Sequence, residues 1–254
     1  MTTFELYNND CLIKMKEIAD KSVDLMVADL PYGQTHCEWD CLIDLDKLWT
    51  ELKRILKPNG QCLFFCSTKF GVSLINSNPK WFRTDIVWEK NTTCGFLSAK
   101  KSVLKNHEMI YLFHNPTKPK DLNWTYNPQM TPGKIDLGKR KPRERDCVYG
   151  NIKLSINGNS GNTTGLYYPK SILKINTPKK CGSSKTKTIH PTEKPTELYE
   201  WLIKTYSNVG DKILDPTFGS CNSGKVAREL GRHYIGIELN KEYYDGAVER
   251  LITN

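Results

Sequence analysis

The residues with the clearest chemical potential follow a mostly apolar run at residues 23–28. Asp29 ends that run, and Pro31 and Tyr32 come directly after it. Apolar residues without strict alternation are typical of a strand that is buried on both faces of a parallel sheet, and proline cannot continue its hydrogen-bond ladder. The pattern therefore predicts a carboxylate, a free backbone carbonyl and an exposed aromatic ring at the carboxyl end of a strand, where open α/β sheets bind their ligands.

A second pair of acids lies near the end of the chain. Asp215 ends a short predicted strand and is followed by the glycine-containing loop at residues 216–220, and Glu238 ends the next predicted strand, 23 residues after Asp215. An acid about 20 residues beyond such a loop typically receives ribose hydroxyls in nucleotide-binding βαβ units. The loop lacks a full G-x-G-x-x-G or P-loop pattern, which favours a ligand with adenosine but no pyrophosphate. When this unit is considered alone, an ordinary charge at a strand end explains Glu238 nearly as well as a ribose-binding role does.

Positive charge is concentrated in one segment of the chain. From Lys100 to Lys187 the sequence has 18 lysines and arginines against 5 acids, an excess of +13, whereas the whole chain carries +9. Tyrosines stand among these cations, and this combination suits phosphate contacts and stacking on bases. The segment is therefore expected to bind a nucleic acid; the alternative is a merely solvated, partly disordered insertion.

Strands and helices alternate along the rest of the chain and must position these residues. Apolar runs predict strands at residues 4–6, 23–29, 61–66, 84–90, 109–113, 212–215 and 234–238, with the fourth and fifth antiparallel to each other. Helical periodicity predicts helices at residues 11–19, 44–57, 71–75, about 195–206 and around 226–230. Asp10 stands where the N-cap of the first helix belongs, and capping alone explains it about as well as a functional role would. Pro58-Asn59-Gly60 is expected to end the second helix. The basic connection at residues 91–106 has neither periodicity, and a connection of that length is more often functional than idle.

Other classes of protein are disfavoured by the composition. The first residues lack the basic and apolar regions of a signal peptide, and no apolar run approaches the roughly 20 residues of a membrane span. The nine cysteines form no regular framework, and the ligands imaginable around His36, Cys37 and Cys41 lack a second pair that would close a zinc site. We therefore expect a soluble, cytoplasmic protein without a metal and without a membrane partner.

Several segments together resemble the DNA amino-methyltransferases. Asp29-Leu30-Pro31-Tyr32 resembles their D-P-P-Y motif, and residues 214–220 resemble their S-adenosylmethionine loop. Residues 88–90, 106–110 and 190–195 also look like segments of that family. The catalytic motif comes first and the cofactor loop last, which is the family's β-type order. The resemblance covers nearly the whole chain except about 115–189, and it is closest to the adenine-modifying enzymes of phages, prophages and restriction systems.

The resemblance implies a Rossmann-like α/β fold, with a mostly parallel sheet that contains one antiparallel strand. Residues 1–115 and 190–254 would form a discontinuous catalytic domain, and residues 116–189 would form an inserted, basic target-recognition region. The implied partner is double-stranded DNA, and a homodimer is among the expected assemblies because relatives are often dimers. The implied location is the cytoplasm of a bacterial or phage-infected cell.

The resemblance also implies a reaction, which is methylation of the exocyclic amino group of adenine at a specific DNA sequence. The target base would flip out of the duplex and take its methyl group directly from S-adenosyl-L-methionine, leaving S-adenosyl-L-homocysteine. Asp29 and the carbonyl of Leu30 would each accept an amino hydrogen, with Pro31 completing the corner and Tyr32 stacked on the base. The implied cofactor contacts are Asp10, Cys11, His190, Thr192, Lys194, Asp215, Pro216, Gly219, Ser220 and Glu238. The implied DNA contacts are Lys100, Lys101, Lys105, Arg140, Lys141, Arg143 and Arg145.

Within the implied cofactor site, Asp10 and Cys11 would lie near the adenine, Glu238 on the ribose, and residues 190–194 near the methionine end. His190 is alternatively a capping or loop histidine. The connection at 91–106 would hold phosphates and fill the gap left by the flipped base.

Three other functions stay open beside adenine methylation: methylation of the cytosine amino group, methylation of RNA, and an inactive nucleic-acid-binding relative. In the family an acid at the first motif position goes mostly with adenine, so Asp29 favours adenine. Leu30 replaces the usual proline and is expected to act through its backbone carbonyl. Thr217 and Cys221 replace a phenylalanine and a glycine, and the Cys221 side chain is expected either to tighten the cofactor pocket or to weaken affinity.

Overall fold

The computed structural model describes residues 2–33, 41–115, 124–136, 162–178 and 192–253. They belong to two compact units, Met1–Asn127 with Ser171–Asn254, and Pro128–Lys170. In these ranges no helix is long and apolar enough to cross a membrane. Within the same ranges, no group of three or more His, Cys, Asp or Glu side chains could hold a metal ion.

The larger unit is organised around one eight-stranded sheet. The strands of the described residues are, in chain order, β1 (Phe4–Asn8), β2 (Val23–Ala28), β3 (Leu56–Cys66), β4 (Phe82–Cys94), β5 (Lys105–His114), β6 (Thr131–Pro132), β7 (Leu166–Tyr167), β8 (Ile172–Lys174), β9 (Lys212–Asp215) and β10 (His233–Glu238). The sheet has the order β1-β10-β9-β2-β3-β5-β4-β8. β5 runs antiparallel to both of its neighbours, and the other pairs are parallel. This confirms the predicted α/β sheet, mostly parallel with one antiparallel strand.

Helices connect the parallel strands of the larger unit. They are α1 (Cys11–Lys14), α2 (Leu45–Ile55), α3 (Thr68–Ser77), α4 (Thr196–Tyr206), α5 (Asn222–Glu229) and α6 (Lys241–Thr253). Asp10, Asp44 and Ser67 cap the first three, because their side chains accept hydrogen bonds from backbone N–H groups of the first turn. The helices predicted near residues 44–57, 71–75, 195–206 and 226–230 are confirmed, although their ends are shifted.

The central strand β2 is buried on both faces, as its sequence predicts. Leu25 and Val27 belong to one apolar cluster, and Met26 and Ala28 belong to a second. All four side chains are fully buried. Because successive side chains of a strand point to opposite faces, the two clusters are the cores on either side of the sheet. β2 is thus held rigidly, and its carboxyl end presents Asp29 at a fixed place.

The first predicted helix is shorter than its periodicity indicates. Its α-helical part ends at Lys14 and is followed by one 3₁₀ turn, Met15–Glu17. The guanidinium of Arg54 donates hydrogen bonds of 2.7 Å to the carbonyl groups of Met15 and Ile18. A tertiary contact therefore supplies donors to carbonyl groups at the end of this short helical segment.

Two further predicted boundaries are wrong. Pro58-Asn59-Gly60 does not separate a helix from a strand but lies inside β3, as an irregular stretch between the strand's pairings at Leu56 and Gln61. The connection at 91–106 is partly strand, because β4 continues to Cys94 and pairs there with Lys105 of β5. The true hairpin end is therefore shorter than predicted, and it contains a 3₁₀ turn, Phe96–Ser98.

The smaller unit contains an antiparallel pair, β6 with β7. The ring of Tyr167 lies where a Cβ at Gly133 would come within 2.5 Å of it, so a larger residue at that position would require the ring to move. The unit spans residues 128–170. The predicted recognition region, 116–189, is wider, and residues 171–175 belong to the larger unit, where β8 pairs with β4 and Trp88 Nε1 donates to the Ile175 carbonyl at 2.8 Å. The function of the inserted region stays a prediction.

Candidate active site

One cleft of the larger unit opens at the carboxyl ends of the parallel strands. β1, β10, β9 and β2 are adjacent and parallel, so their carboxyl ends meet at one edge of the sheet. The loops at this edge enclose a cavity of about 390 Å³. Its lining includes the predicted site residues Asp10, Cys11, Asp29, Leu30, Pro31, Tyr32, Thr192, Lys194, Pro216, Gly219, Ser220 and Glu238. Predicted catalytic and cofactor residues from distant parts of the chain thus share one cavity.

The Asp29 carboxylate has a donor on each oxygen. The Tyr32 hydroxyl donates to Asp29 Oδ1 at 2.6 Å, and the Lys194 ammonium donates to Asp29 Oδ2 at 2.5 Å. Burial raises the pKa of the Tyr32 phenol well above its usual value, and the charge of Asp29 adds to this effect, so Tyr32 stays a donor. The Leu30 side chain is 2% exposed and packs in the core. Leu30 also lines the cavity, and the role of its carbonyl stays a prediction.

Lys194 lies between two carboxylates. Besides contacting Asp29, its ammonium lies 3.4 Å from Glu108 Oε2, and the other oxygen of Glu108 lies 2.9 Å from the Lys90 ammonium. Burial acts to lower the pKa of Lys194, but the charges of Asp29 and Glu108 outweigh it and raise that pKa. Likewise burial acts to raise the pKa of Glu108, but the two lysines outweigh it and lower that pKa. Both groups are therefore charged at neutral pH.

The segment that carries Lys194 is anchored to two helices. Asn222, at the start of α5, donates to the Lys194 carbonyl and to Glu193 Oε1, each at 2.8 Å. Arg250 of α6 pairs with the same Glu193 oxygen at 2.8 Å. These contacts fix the backbone beside Lys194, so its side chain extends to Asp29 from a backbone that is held in place.

The loop after β9 is built around a buried acid. Asp215 is 1% exposed, and its carboxylate accepts from the Thr217 N–H at 3.1 Å and from the Ser223 hydroxyl at 2.5 Å. Burial raises the pKa of Asp215 to about 7, although both hydrogen bonds oppose the rise. Asp215 lies beneath the residues that line the cavity. Its hydrogen bonds shape the loop at residues 216–220, which forms part of that lining.

The Glu238 carboxylate is held at the cavity by backbone donors. The N–H of Gly219 donates to one oxygen at 2.9 Å, and the N–H of Asn240 donates to the other at 2.8 Å. Burial raises the pKa of Glu238, with these N–H groups acting in the opposite direction. Gly219 has a φ of +52°, which a residue with a side chain rarely adopts. The cofactor loop and the second strand-end acid therefore form one fixed surface.

On the other side of the cavity, Asp10 and Cys11 begin α1. The Asp10 carboxylate accepts from the N–H groups of Leu12 and Ile13 at 2.7 and 3.2 Å, so it does cap the helix as well as line the cavity. Burial raises the pKa of the Cys11 thiol to about 12. Cys11 therefore offers a neutral surface to a ligand.

The two residues that depart from the family's loop have defined positions. The Thr217 hydroxyl donates to the Asp29 carbonyl at 3.1 Å, which ties the loop at residues 216–220 to the end of β2. Cys221 is 1% exposed, has a φ of +58°, and its sulfur lies 3.8 Å from the Tyr234 hydroxyl. Its side chain therefore packs in the core under the loop and does not enter the cavity lining.

The predicted DNA contacts are only partly described. Lys100 and Lys101 are exposed at the β4–β5 hairpin end, and Lys105 is half-buried at the start of β5. Phe96 and Leu97 in the same hairpin end are 81% and 98% exposed. The predicted contacts Arg140, Lys141, Arg143 and Arg145, and the cofactor contact His190, lie outside the described residues.

Sequence reasoning assigned no role to Glu108. It lines the cavity at the amino-terminal part of β5, directly before an apolar run. An acid next to a buried strand is a signal that could have drawn attention to it, because such a carboxylate needs a partner. Its partners Lys90 and Lys194 are distant in sequence, so spacing could not have supplied them.

A mostly parallel α/β sheet with a cavity at the carboxyl ends of its strands is the architecture of the Rossmann-like proteins, which bind their ligands at this edge. Residues 23–249 match the family model of the DNA methylases. The chain belongs to this DNA methylase family.

Similar proteins are known for the sequence, and similar solved structures for the fold. The chain is 26% identical over 259 residues to the Type II methyltransferase M1.MboII of Moraxella bovis, covering 96% of this chain and 94% of that protein. It is 29% identical over 251 residues to the Type II methyltransferase M.HpaI of Haemophilus parainfluenzae, covering 93% and 70%. The fold is similar to that of M1.HpyAVI in complex with SAM, with a TM-score of 0.65, 22% identity and 98% and 99% of the two chains covered. It is equally similar to the cytosine-N4-specific PvuII DNA methyltransferase, with a TM-score of 0.65, 16% identity and 98% and 86% covered.

Proposed function

We propose that this protein methylates the exocyclic amino group of adenine at a specific sequence in double-stranded DNA, with S-adenosyl-L-methionine as the methyl donor. The main support for the proposal is that Asp29 and Glu238 line one cavity of about 390 Å³. These are the strand-end acids of the two separate motifs. One acid suits the amino group that is to be methylated, and the other suits the ribose of the donor.

The cavity fits an adenosine-containing cofactor. Glu238 is fixed by the N–H groups of Gly219 and Asn240, and each of its oxygens keeps a lone pair for a ribose hydroxyl. We assign Asp10 and Cys11 to the adenine end, and Thr192, Pro216 and Ser220 to the remaining cofactor surface, with Asp215 and Gly219 shaping the loop. His190 belongs to the same proposed set.

S-adenosyl-L-methionine supplies an electrophilic methyl group. The amino nitrogen of adenine is a weak nucleophile because its lone pair is delocalised into the ring. Asp29 Oδ1 and the Leu30 carbonyl each accept one amino hydrogen, which localises the lone pair and orients it. As the nitrogen–carbon bond forms and the carbon–sulfur bond breaks, positive charge grows on the nitrogen, and the Asp29 carboxylate stabilises it and accepts the released proton.

Tyr32 has two parts in this scheme. In the free protein its hydroxyl occupies Asp29 Oδ1 at 2.6 Å, the oxygen that the target amino group needs. We assign the Tyr32 ring to stacking on the base beside Pro31, a movement that gives up this hydrogen bond and lets the amino group donate to Asp29 Oδ1 in its place. Lys194 meanwhile retains Asp29 Oδ2, so the carboxylate keeps its orientation.

A base inside a duplex cannot reach a cavity at the sheet edge, so the target nucleotide flips out. The β4–β5 hairpin end, with Lys100, Lys101 and Lys105, supports phosphate contacts next to the site. Phe96 and Leu97 are suited to fill the space that the base leaves, because they are large, apolar and exposed. We assign target recognition to residues 116–189, including Arg140, Lys141, Arg143 and Arg145.

Methylation of the cytosine amino group is the second candidate, favoured by the similarity to the fold of the cytosine-N4-specific PvuII enzyme. The acid at position 29 favours adenine over it. Since M1.MboII and M.HpaI are named Type II methyltransferases, we further propose that the chain modifies DNA within a restriction-modification system.

Radiolabelled S-adenosyl-L-methionine tests the substrate class. Wild-type protein is incubated with plasmid DNA or with RNA, beside Asp29→Ala and a control, Asp46→Ala, which removes an exposed acid of α2. Label should enter DNA with wild type and the control, and not with Asp29→Ala. Label in RNA, or DNA binding without any transfer, would contradict the proposal.

A further inference from the structure

Charged side chains of alternating sign form a row that ends at Asp29. The Lys90 ammonium lies 2.9 Å from Glu108 Oε1. The Lys194 ammonium lies 3.4 Å from Glu108 Oε2 and 2.5 Å from Asp29 Oδ2. Lys90 belongs to β4, Glu108 to β5, Lys194 to the segment before α4 and Asp29 to the end of β2. Four separate parts of the chain thus bring two lysines and two carboxylates together.

The two lysines of the row are shielded from water. The side chains of Lys90 and Lys194 are 9% and 6% exposed, and those of Glu108 and Asp29 are 23% and 21% exposed. Glu108 Oε2, which faces Lys194, has almost no contact with solvent. Charges in such surroundings are screened weakly, so the loss of one is felt strongly by the others. With all four groups ionised the row has no net charge.

We propose that Glu108 is a positioning residue for methyl transfer, which holds the Lys194 ammonium on Asp29 and cancels its positive charge there. The inference rests on the proposed role of Asp29. Glu108 acts through Lys194 and needs no contact with the reacting atoms. If its charge is removed, an uncompensated positive charge stands next to the amino nitrogen, which itself becomes positive as the nitrogen–carbon bond forms. The barrier to transfer therefore rises.

Glu108 also ties β5 to β4 through Lys90, so a purely structural role must be separated from the electrostatic one. Glu108→Gln and Lys90→Met both remove the 2.9 Å ion pair. They change the net charge of the row in opposite directions, to positive and to negative. The double variant Glu108→Gln/Lys90→Met lacks the ion pair as well but has no net charge. A structural role predicts similar losses in all three variants, whereas an electrostatic role predicts a loss set by the sign of the charge.

The experiment measures kcat and KM for methyl transfer to plasmid DNA. Glu108→Gln should lower kcat at least tenfold more than Lys90→Met does, with the KM for S-adenosyl-L-methionine within about threefold of wild type, because charges a few ångströms apart are worth on the order of a hundredfold in a partly buried site. Adding Lys90→Met to Glu108→Gln should then raise kcat again. Equal losses in the two single variants, or no recovery in the double variant, would overturn the inference.

Glu108→Asp provides a second variant, which keeps the charge on a shorter side chain. It should retain a larger kcat than Glu108→Gln, and a kcat as low as that of Glu108→Gln would also overturn the inference. Thermal melting and calorimetric cofactor binding check that each variant is folded. A wild-type protein that transfers no methyl group would refute the proposed function, whereas an active wild type with indistinguishable Glu108→Gln and Lys90→Met refutes only the role of Glu108.

Discussion

Asp215 gives the stability of the protein a pH dependence that can be worked out from its surroundings. The side chain is 1% exposed, and burial raises its pKa to about 7. In the unfolded chain an aspartate has a pKa of about 3.9. Between these two values the folded state holds a proton that the unfolded state lacks, so this group makes the protein less stable as the pH rises from about 4 to about 7. Above the folded-state pKa its contribution becomes constant.

Asp215→Asn removes this contribution, because the amide is neutral at every pH. It can still accept from the Thr217 N–H, and its NH₂ group can donate to the Ser223 hydroxyl. A difference of about three pKa units corresponds to roughly 4 kcal/mol. We therefore expect the variant to be more stable than wild type by up to roughly 4 kcal/mol at pH 8, with the advantage shrinking towards pH 4.

Urea denaturation from pH 5 to pH 8, without cofactor, measures the difference in the free energy of unfolding. Asp211→Asn is the matched control, because Asp211 is a less buried acid in the same region whose pKa burial also raises. The variant of Asp211 should show a smaller change with pH. A difference between wild type and Asp215→Asn that stays constant with pH would refute the reasoning about burial.

The remaining predictions concern the reaction and its two ligands. Asp29→Asn should lower kcat on the order of a hundredfold or more, with cofactor affinity retained in calorimetry, because it weakens stabilisation of the growing positive charge. Glu238→Gln should weaken cofactor affinity about tenfold, the value of one charge-assisted hydrogen bond, with kcat largely retained at saturating cofactor. Replacement of Lys100, Lys101 and Lys105 by glutamine should reduce the slope of log affinity against log salt, measured by fluorescence anisotropy on duplex DNA, by up to about 3.

Different outcomes would count against each of these. Full activity of Asp29→Asn would mean that the Asp29 carboxylate has no part in the mechanism. Unchanged cofactor affinity of Glu238→Gln would mean that the Glu238 carboxylate does not bind the ribose. An unchanged salt slope would mean that the hairpin lysines make no phosphate contacts. Lys16→Gln, an exposed lysine in the 3₁₀ turn after α1, is the control for a general effect of charge.

Local sequence patterns were sufficient to predict the ends of the two strands that carry the acids of the site, Asp29 and Glu238. The apolar run before Asp29 and the proline after it predict where β2 stops, and the structure ends the strand at Ala28. The single antiparallel strand of the sheet also agrees with what the family resemblance implies. These features depend on burial and backbone chemistry within a few residues, which a sequence displays directly.

The contacts of Lys194 could not be predicted in this way. The resemblance implies a place near the methionine end of the cofactor, which stays a prediction, but it gives no sign that the ammonium lies on Asp29, 165 residues away in the chain. Glu108 escaped assignment for the same reason, because its partners come from other strands and loops. The shortened α1 is a similar case, since the competing donor is Arg54 of α2. Only the assembled sheet brings such pairs together.

The identity of the methylated base decides between the adenine and the cytosine reaction. Plasmid DNA methylated with S-adenosyl-L-methionine carrying a deuterated methyl group is digested to nucleosides and analysed by mass spectrometry. We expect deuterated N6-methyladenine, detected as its deoxynucleoside, with wild type and none with Asp29→Ala. Deuterated N4-methylcytosine in place of N6-methyladenine would contradict this expectation.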